Sequence, residues 1–155
     1  MNILVFSDSH SRTRPMLDIY NRTPVDAVIH LGDYVRDARE LMRLTSGVPV
    51  YHVAGNCDFN MGAHTLQILE LGGAKIMITH GHMYQVKSGL GLITEAAVAK
   101  GVNAVFFGHT HIQLLKESRK ILLLNPGAVS DYDNSYALVN IENGQINATL
   151  LRGNI

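Results

Sequence analysis

Five times between Asn2 and His111 the chain repeats one event: a short apolar run breaks abruptly into a cluster of Gly, His, Asp or Asn. The first run, Ile3-Leu4-Val5-Phe6, ends in Ser7-Asp8-Ser9-His10. Four apolar residues in a row fit a strand covered on both faces or a piece of buried helix, and the polar break after so few residues favours the strand. Asp8 and His10 stand two residues apart, so in extended chain their side chains share a side. A carboxylate oxygen beside an imidazole nitrogen suits a divalent first-row metal. An isolated Asp-x-His is more simply an Asx turn with a surface histidine. Recurrence of the pattern down the chain is what favours the metal.

After His10, Ser11 or Thr13 is placed to cap a helix through Pro15–Tyr20, which Thr23-Pro24 stops. Val25–Leu31 reads as a second strand running into Gly32-Asp33. Asp37 reads as the N-cap of a helix over Ala38–Thr45, with Leu41 and Leu44 on its apolar face and Gly47 closing it. Val48–Ala54 is a third strand and delivers Gly55-Asn56-Cys57-Asp58. Thr65–Leu71 and Ala74–Thr79, split by Gly72-Gly73, read as a hairpin ending in His80-Gly81-His82. A helix from Gly91 to Lys100 follows, then a strand over Val102–Phe107 that ends in Gly108-His109-Thr110-His111. The remainder is β-rich: Ile112–Glu117, Ile121–Leu124, Tyr136–Ile141 and Gln145–Leu151, with Asn125–Ala128 read as turn. Five strands therefore end at polar clusters, and in open α/β sheets ligands bind beyond the carboxyl ends of the strands. The five clusters are expected to meet in one place.

Length and charge narrow the field. The 155 residues are expected to form one domain over positions 1–155 with a proper core. Thirteen basic and thirteen acidic residues cancel, and no basic run with interleaved aromatics appears, so neither high-affinity nucleic-acid binding nor membrane attraction is expected. Charged residues are 17% and apolar ones 46%, which suits a compact α/β protein and not disorder. The lone cysteine, Cys57, allows no internal disulfide, no apolar stretch approaches a bilayer span, and the opening run lacks the basic flank of a signal peptide. A cytoplasmic location is the expectation.

The clusters offer Asp8, His10, Asp33, Asn56, His80, His109 and His111. Two carboxylates, one amide oxygen and four imidazoles are too many donors for one tetrahedral zinc. They suit two metals sharing a bridging carboxylate, the arrangement of phosphatases and nucleases. Four positive charges, less two aspartates and a bridging hydroxide, leave about one positive charge, a setting that attracts a phosphoryl group. Metal-acidified water then supplies a hydroxide nucleophile for in-line attack on phosphorus.

Asp-x-His, Gly-Asp, Gly-Asn-x-Asp, His-Gly-His and Gly-His-Thr-His, in that order, resemble the calcineurin-like metallophosphoesterases, and within them the small prokaryotic phosphodiesterases of the YfcE type. The resemblance implies two facing mixed β-sheets flanked by helices, a four-layer α/β sandwich. It implies that Asp8, His10 and His111 hold one ion, that Asn56, His80 and His109 hold another, and that Asp33 bridges them. The ions would be manganese, or nickel, iron or zinc, and the substrate a small phosphoester. Relatives of this kind are often homodimers or homotetramers, although no long exposed apolar stripe demands one here. The position after Gly55-Asn56 departs from the many members with a proton-donating histidine there. Here it is Cys57, a less adaptable acid that can ionise beside two metals. Weak help for poor leaving groups is therefore expected, with a preference for activated or aryl phosphodiesters and His82 standing in as the acid. Asp58 is expected to orient a neighbour rather than bind metal. Arg12 and Arg36 follow ligand motifs and are candidates for the substrate phosphate. His30, His52 and His64 read as ordinary strand or loop histidines. The alternatives are a phosphomonoesterase or nucleotide pyrophosphatase on the same site, a non-catalytic scaffold like the retromer subunit that resembles this family, and, less favoured, a metal-buffering protein.

Overall fold

The computed structural model describes residues 1–45 and 47–153. Along β1 (Asn2–Phe6), alternate side chains enter two different cores. Ile3 and Val5 face one, and Leu4 and Phe6 face the other. A strand covered on both faces needs layers on both sides, and the chain supplies them.

One sheet runs in the order β10 (Gln145–Arg152), β9 (Ser135–Glu142), β1, β2 (Ala27–His30), β3 (Val50–His52). The second runs β4 (Leu66–Leu71), β5 (Ala74–Thr79), β6 (Ala104–Phe106), β8 (Ile121–Pro126), β7 (Gln113–Ser118). Both are mixed: β1, β2 and β3 are mutually parallel, as are β5, β6 and β8, while the hairpin partners run antiparallel. The faces of the two sheets meet over Ile3, Val5, Ile29, Ile76, Ile78, Phe106 and Val139.

Helices α1 (Thr13–Arg22) and α2 (Val35–Leu44) cover the outer face of the first sheet through Met16, Ile19 and Leu41. Helix α3 (Gly91–Ala99) covers the second through Ile93 and Ala97. The result is the expected four-layer α/β arrangement. No helix among the described residues is long and apolar enough to cross a membrane.

Local details differ from the sequence reading in three ways. Neither Ser11 nor Thr13 caps α1: the Ser11 N–H donates to Asp37 Oδ2 and the Thr13 hydroxyl donates to Glu40 Oε2, so both tie α1 to α2 instead. Asp37 lies inside the first turn of α2 and is buried; the N-cap is Tyr34, in left-handed conformation. The apolar runs 25–31, 48–54 and 102–107 outlast their ladders. Leu31, Val53 and Phe107 stay buried while carrying the chain out of the sheets and toward the clusters.

Candidate metal centre

The carboxyl ends of β1, β2 and β3 from one sheet and of β5 and β6 from the other deliver their clusters to one place. His111 Nε2 lies 3.2 Å from Asp8 Oδ1, and His80 Nε2 lies 3.8 Å from the same oxygen. Asp33 Oδ2 lies 3.4 Å from His80 Nε2 and 3.7 Å from His10 Nε2. His10 Nε2 is 4.0 Å from Asp8 Oδ1. The His109 ring centroid lies 5.0 Å from that of His80.

Each carboxylate is divided in its duties. Asp8 Oδ2 accepts the Ser7 hydroxyl and the His109 N–H, and Asp33 Oδ1 accepts the Cys57 N–H. The remaining oxygens, Asp8 Oδ1 and Asp33 Oδ2, face the imidazoles. His80 is set by its other nitrogen: Nδ1 lies 2.8 Å from the Leu31 carbonyl and donates to it, which turns Nε2 toward the two carboxylates.

This geometry tests the fit of a cation. Asp8 Oδ1 and His80 Nε2 are buried without a hydrogen-bond partner. Orphaned buried polar atoms are costly unless something satisfies them, and a divalent ion between acidic and imidazole donors does so. Three donor groups have atoms within 4.8 Å of one another: Asp8, His10 and His111; Asp8, Asp33 and His80; His10, Asp33 and Cys57. The electrostatics agree. Burial works against a charge on Asp33, yet the close approach and charge of His80 and the Cys57 N–H hold its carboxyl below the usual range. His80 is pulled the other way: burial lowers its pKa, but Asp33 and Asp8 outweigh that and raise it.

The backbone carries the same signature. Asp8, His10, Asp33, His109 and His111 all have positive φ, between 43° and 68°. Non-glycine residues held there cluster at functional sites. Close approach explains two of the flanking glycines. A Cβ on Gly55 would run into the Asp33 carboxylate, and one on Gly108 into Ser7 Oγ and Asp8 Oδ2.

The other sequence candidates lie around this centre. Asn56 and Cys57 are exposed on the loop after β3, with the Asn56 amide donating to Cys57 Sγ at 3.6 Å. Burial, followed by the Asp33 carboxylate, pushes the Cys57 thiol up to about 11, so the chain's own residues hold it protonated. Asp58 is turned away from the donors: Oδ1 accepts the Tyr34 and Val35 N–H groups and Oδ2 that of Gly55. His82 opens a one-turn 3-10 helix over His82–Tyr84, and its ring lies 5.5 Å from that of His80. Burial and the charge of His80 lower its pKa. Arg36 donates to Ser11 Oγ and lies over the Tyr34 ring, beside Cys57 and Phe59 in one cleft. Arg12 is occupied by the Ser130 carbonyl.

Four supporting residues escaped the sequence reading. Ser9 and Asp37 join buried His30 in a chain that fixes the loop carrying His10. Gly32 N–H donates to His30 Nδ1, His30 Nε2 lies 3.0 Å from Ser9 Oγ, and Ser9 donates to Asp37 Oδ2 at 2.8 Å. Asn125, read as turn, is buried at the end of β8 and donates to the Gly108 carbonyl and Thr110 Oγ1, holding the loop that bears His109 and His111. Asp131 Oδ1 stands 3.7 Å from His111 Nδ1. Ser9 occupies the unspecified position of Asp-x-His and Asp37 reads as a helix cap, so neither points to this role; the polar residue at a strand end was the one available signal for Asn125.

Facing sheets with acids and imidazoles gathered at their carboxyl ends make this an α/β fold of the metal-dependent hydrolase class. The chain belongs to the calcineurin-like phosphoesterase superfamily, whose domain profile matches residues 1–144. It is accordingly a metallophosphoesterase. It is 34% identical over 149 residues to the probable metallophosphoesterase YsnB of Bacillus subtilis (strain 168), covering 92% of this chain and 86% of that one. A phosphodiesterase of Methanocaldococcus jannaschii is 28% identical, with 85% and 86% covered. Among solved structures, a predicted phosphoesterase from Streptococcus pneumoniae TIGR4 superposes with a TM-score of 0.80 at 30% identity, covering 98% of this chain and 89% of that one. Vps29 of Entamoeba histolytica, complexed with zinc, shares the fold at a TM-score of 0.78 and 22% identity, with 99% and 100% covered.

Proposed function

We propose that the chain is a cytoplasmic metal-dependent phosphodiesterase acting on small phosphoesters at a dinuclear centre, with all 155 residues forming one domain around it. The observation that carries this reading is the division of labour in Asp8 and Asp33: each has one oxygen anchored by the protein, while the other faces imidazoles, three at Asp8 and two at Asp33. Asp8, His10 and His111 would hold one ion, and Asn56, His80 and His109 the other. Asp33, whose Oδ2 lies 3.7 Å from His10 Nε2 and 3.4 Å from His80 Nε2, would be shared between the two ions. Manganese is the first choice of metal, with nickel, iron or zinc as alternatives. When bound, two such ions acidify a water for attack on phosphorus and offset charge on the phosphoryl oxygens.

The chain's own groups then determine which esters react. Arg36, in the first turn of α2, and Asn56, on the loop after β3, would be the partners of a phosphoryl oxygen. His82, whose pKa is lowered by burial and by His80, lies beside the His80 and His109 rings, at 5.5 and 6.1 Å between centroids, and is poorly suited to act as a strong acid. Cys57 does not titrate near neutral pH as the histidine it replaces would, so it is a poor general acid for a poor leaving group. Activated and aryl diesters are the expected substrates. The test is a parallel assay of diester and monoester model substrates over a series of leaving groups. Rates falling steeply as leaving-group pKa rises, with diesters ahead, support the reading; a flat dependence or monoester preference overturns it. The scaffold alternative has the likeness to Vps29 chains in its favour, and it would gain from tight metal binding with no turnover of any phosphoester.

A further inference from the structure

Beside the donors lies a cavity of about 450 Å³ whose character is unlike theirs. Buried Val86 and Phe107 form its floor, and Leu90, Ile112 and Leu114 surround it. It joins the metal centre at two points. Its floor touches Gly81, the residue between His80 and His82: a Cβ there would meet Val86 Cγ2 at 3.0 Å and Phe107 Cδ2 at 3.4 Å. Its rim includes Thr110, the residue between His109 and His111.

The polar groups of the cavity restrict what it accepts. Thr110 Oγ1 is already satisfied, accepting from Asn125 Nδ2 at 3.0 Å and from the Ile112 N–H at 3.2 Å and donating to the Ile112 carbonyl. Lys87 is the other hydrogen-bonding side chain, and its positive charge is felt at His109. A sugar or a nucleobase would lose its water here without finding partners. An apolar ring loses nothing, and Lys87 at the rim complements the negative phosphate to which the ring is attached. Ile112, 70% exposed although large and apolar, stands one residue beyond His111, where such a ring would cover it.

We propose that this cavity is a substrate subsite that receives a flat apolar ester group carried on the phosphorus. The assignment rests on the phosphodiesterase reading for the identity of the molecule, and it deepens that reading by giving the ring of an aryl diester a place to bind, independent of its leaving-group ability.

The test uses calorimetric titration of the full-length protein, loaded with Mn²⁺, against two unactivated diesters, diphenyl phosphate and dimethyl phosphate. Diphenyl phosphate is expected to bind tighter by about tenfold or more, the step that follows from burying one ring. Ile112→Ser, at an exposed position that leaves folding intact, and the double variant with Leu90→Ser should bring diphenyl phosphate close to dimethyl phosphate while leaving the latter unchanged. Leu92→Ser, exposed on α3 outside the cavity, should change neither. Equal affinities in the wild type, absence of diphenyl phosphate binding, or a ring preference that survives both cavity variants overturns the subsite. Hydrolysis of bis(4-nitrophenyl) phosphate by the same samples separates the two ideas. Ring preference without turnover overturns the diesterase and keeps the cavity; turnover without ring preference does the reverse.

Discussion

The donor residues accept backbone geometry that side chains ordinarily avoid. Asp8, His10, Asp33, His109 and His111 all have positive φ, at a cost on the order of 1 kcal/mol each. That cost is tolerable because glycines beside them leave room for the carboxylates. Gly55→Ala should therefore act through Asp33. Its new methyl displaces the carboxylate, and a displacement of about 1 Å at such a centre costs on the order of 100-fold in activity. The expected result is loss of turnover and of bound metal by elemental analysis, with an unchanged circular dichroism spectrum. His30 yields a prediction in pH. It is fully buried, its Nδ1 accepts the Gly32 N–H, and burial, then the neighbouring His52 and His80, lower its pKa to about 3. The folded state holds it neutral while the unfolded chain takes up a proton below about 6.5. Stability is then full above pH 6.5 and falls as pH drops toward 3, by about 1.4 kcal/mol per unit from this group. Urea denaturation at a series of pH values should show that slope in the wild type and its reduction in His30→Gln. Much of this centre was legible in the chain: Asp8, His10, Asp33, His80 and His111 follow apolar runs directly, so counting polar strand ends finds them. His30 was not, because a histidine at the end of an apolar run looks alike whether it faces water or a serine and an aspartate.

At the level of helices and strands, apolar runs locate the elements but overrun the ladders of β2, β3 and β6, whereas capping rules misplace the start of α2. The first turn of α2 is satisfied from outside the helix. Asp58, on the loop after β3, accepts the Tyr34 and Val35 N–H groups at 3.0 and 2.8 Å. Local sequence rules look for a cap within a few residues, and this one is 23 and 24 positions away. Freed from that duty, Asp37 holds Ser9 and Ser11 on either side of His10. Asp58→Ala leaves three buried N–H groups without their acceptor and should destabilise the protein by about 2–3 kcal/mol in urea denaturation. The hairpin at Gly72-Gly73 was read closely because its turn is local: it joins β4 to β5 as expected, and Asn143-Gly144 likewise joins β9 to β10.

Across the whole molecule, the centre lies on the seam between two sheets that meet over an apolar core and through the amides of Gln67 and Gln113, which donate to the His52, Tyr136 and Leu151 carbonyls. Asp8, His10 and Asp33 come from the first sheet, and His80, His109 and His111 from the second. Metal held by both should stabilise the native state, by about 2.7 kcal/mol at a hundredfold excess over its dissociation constant. Adding Mn²⁺ to chelator-treated protein should raise Tm, and Asp8→Asn should abolish the rise. Ile78→Ala, which empties part of the inter-sheet core, should lower Tm but keep the rise. The pairing of the two sheets was foreseen from family resemblance rather than periodicity, since alternation along a strand shows that both faces are covered without showing by what.

The loop between β3 and β4, with Phe59 and Asn60 exposed, separates the chain into pieces of unequal chemistry. Cut there, the leading fragment would keep both acids of the centre and the trailing one three of its imidazoles, so neither would retain a fraction of the reaction. Mixing the two would restore hydrolysis in proportion to the number of reassembled pairs, which would make this small enzyme a reporter of fragment complementation.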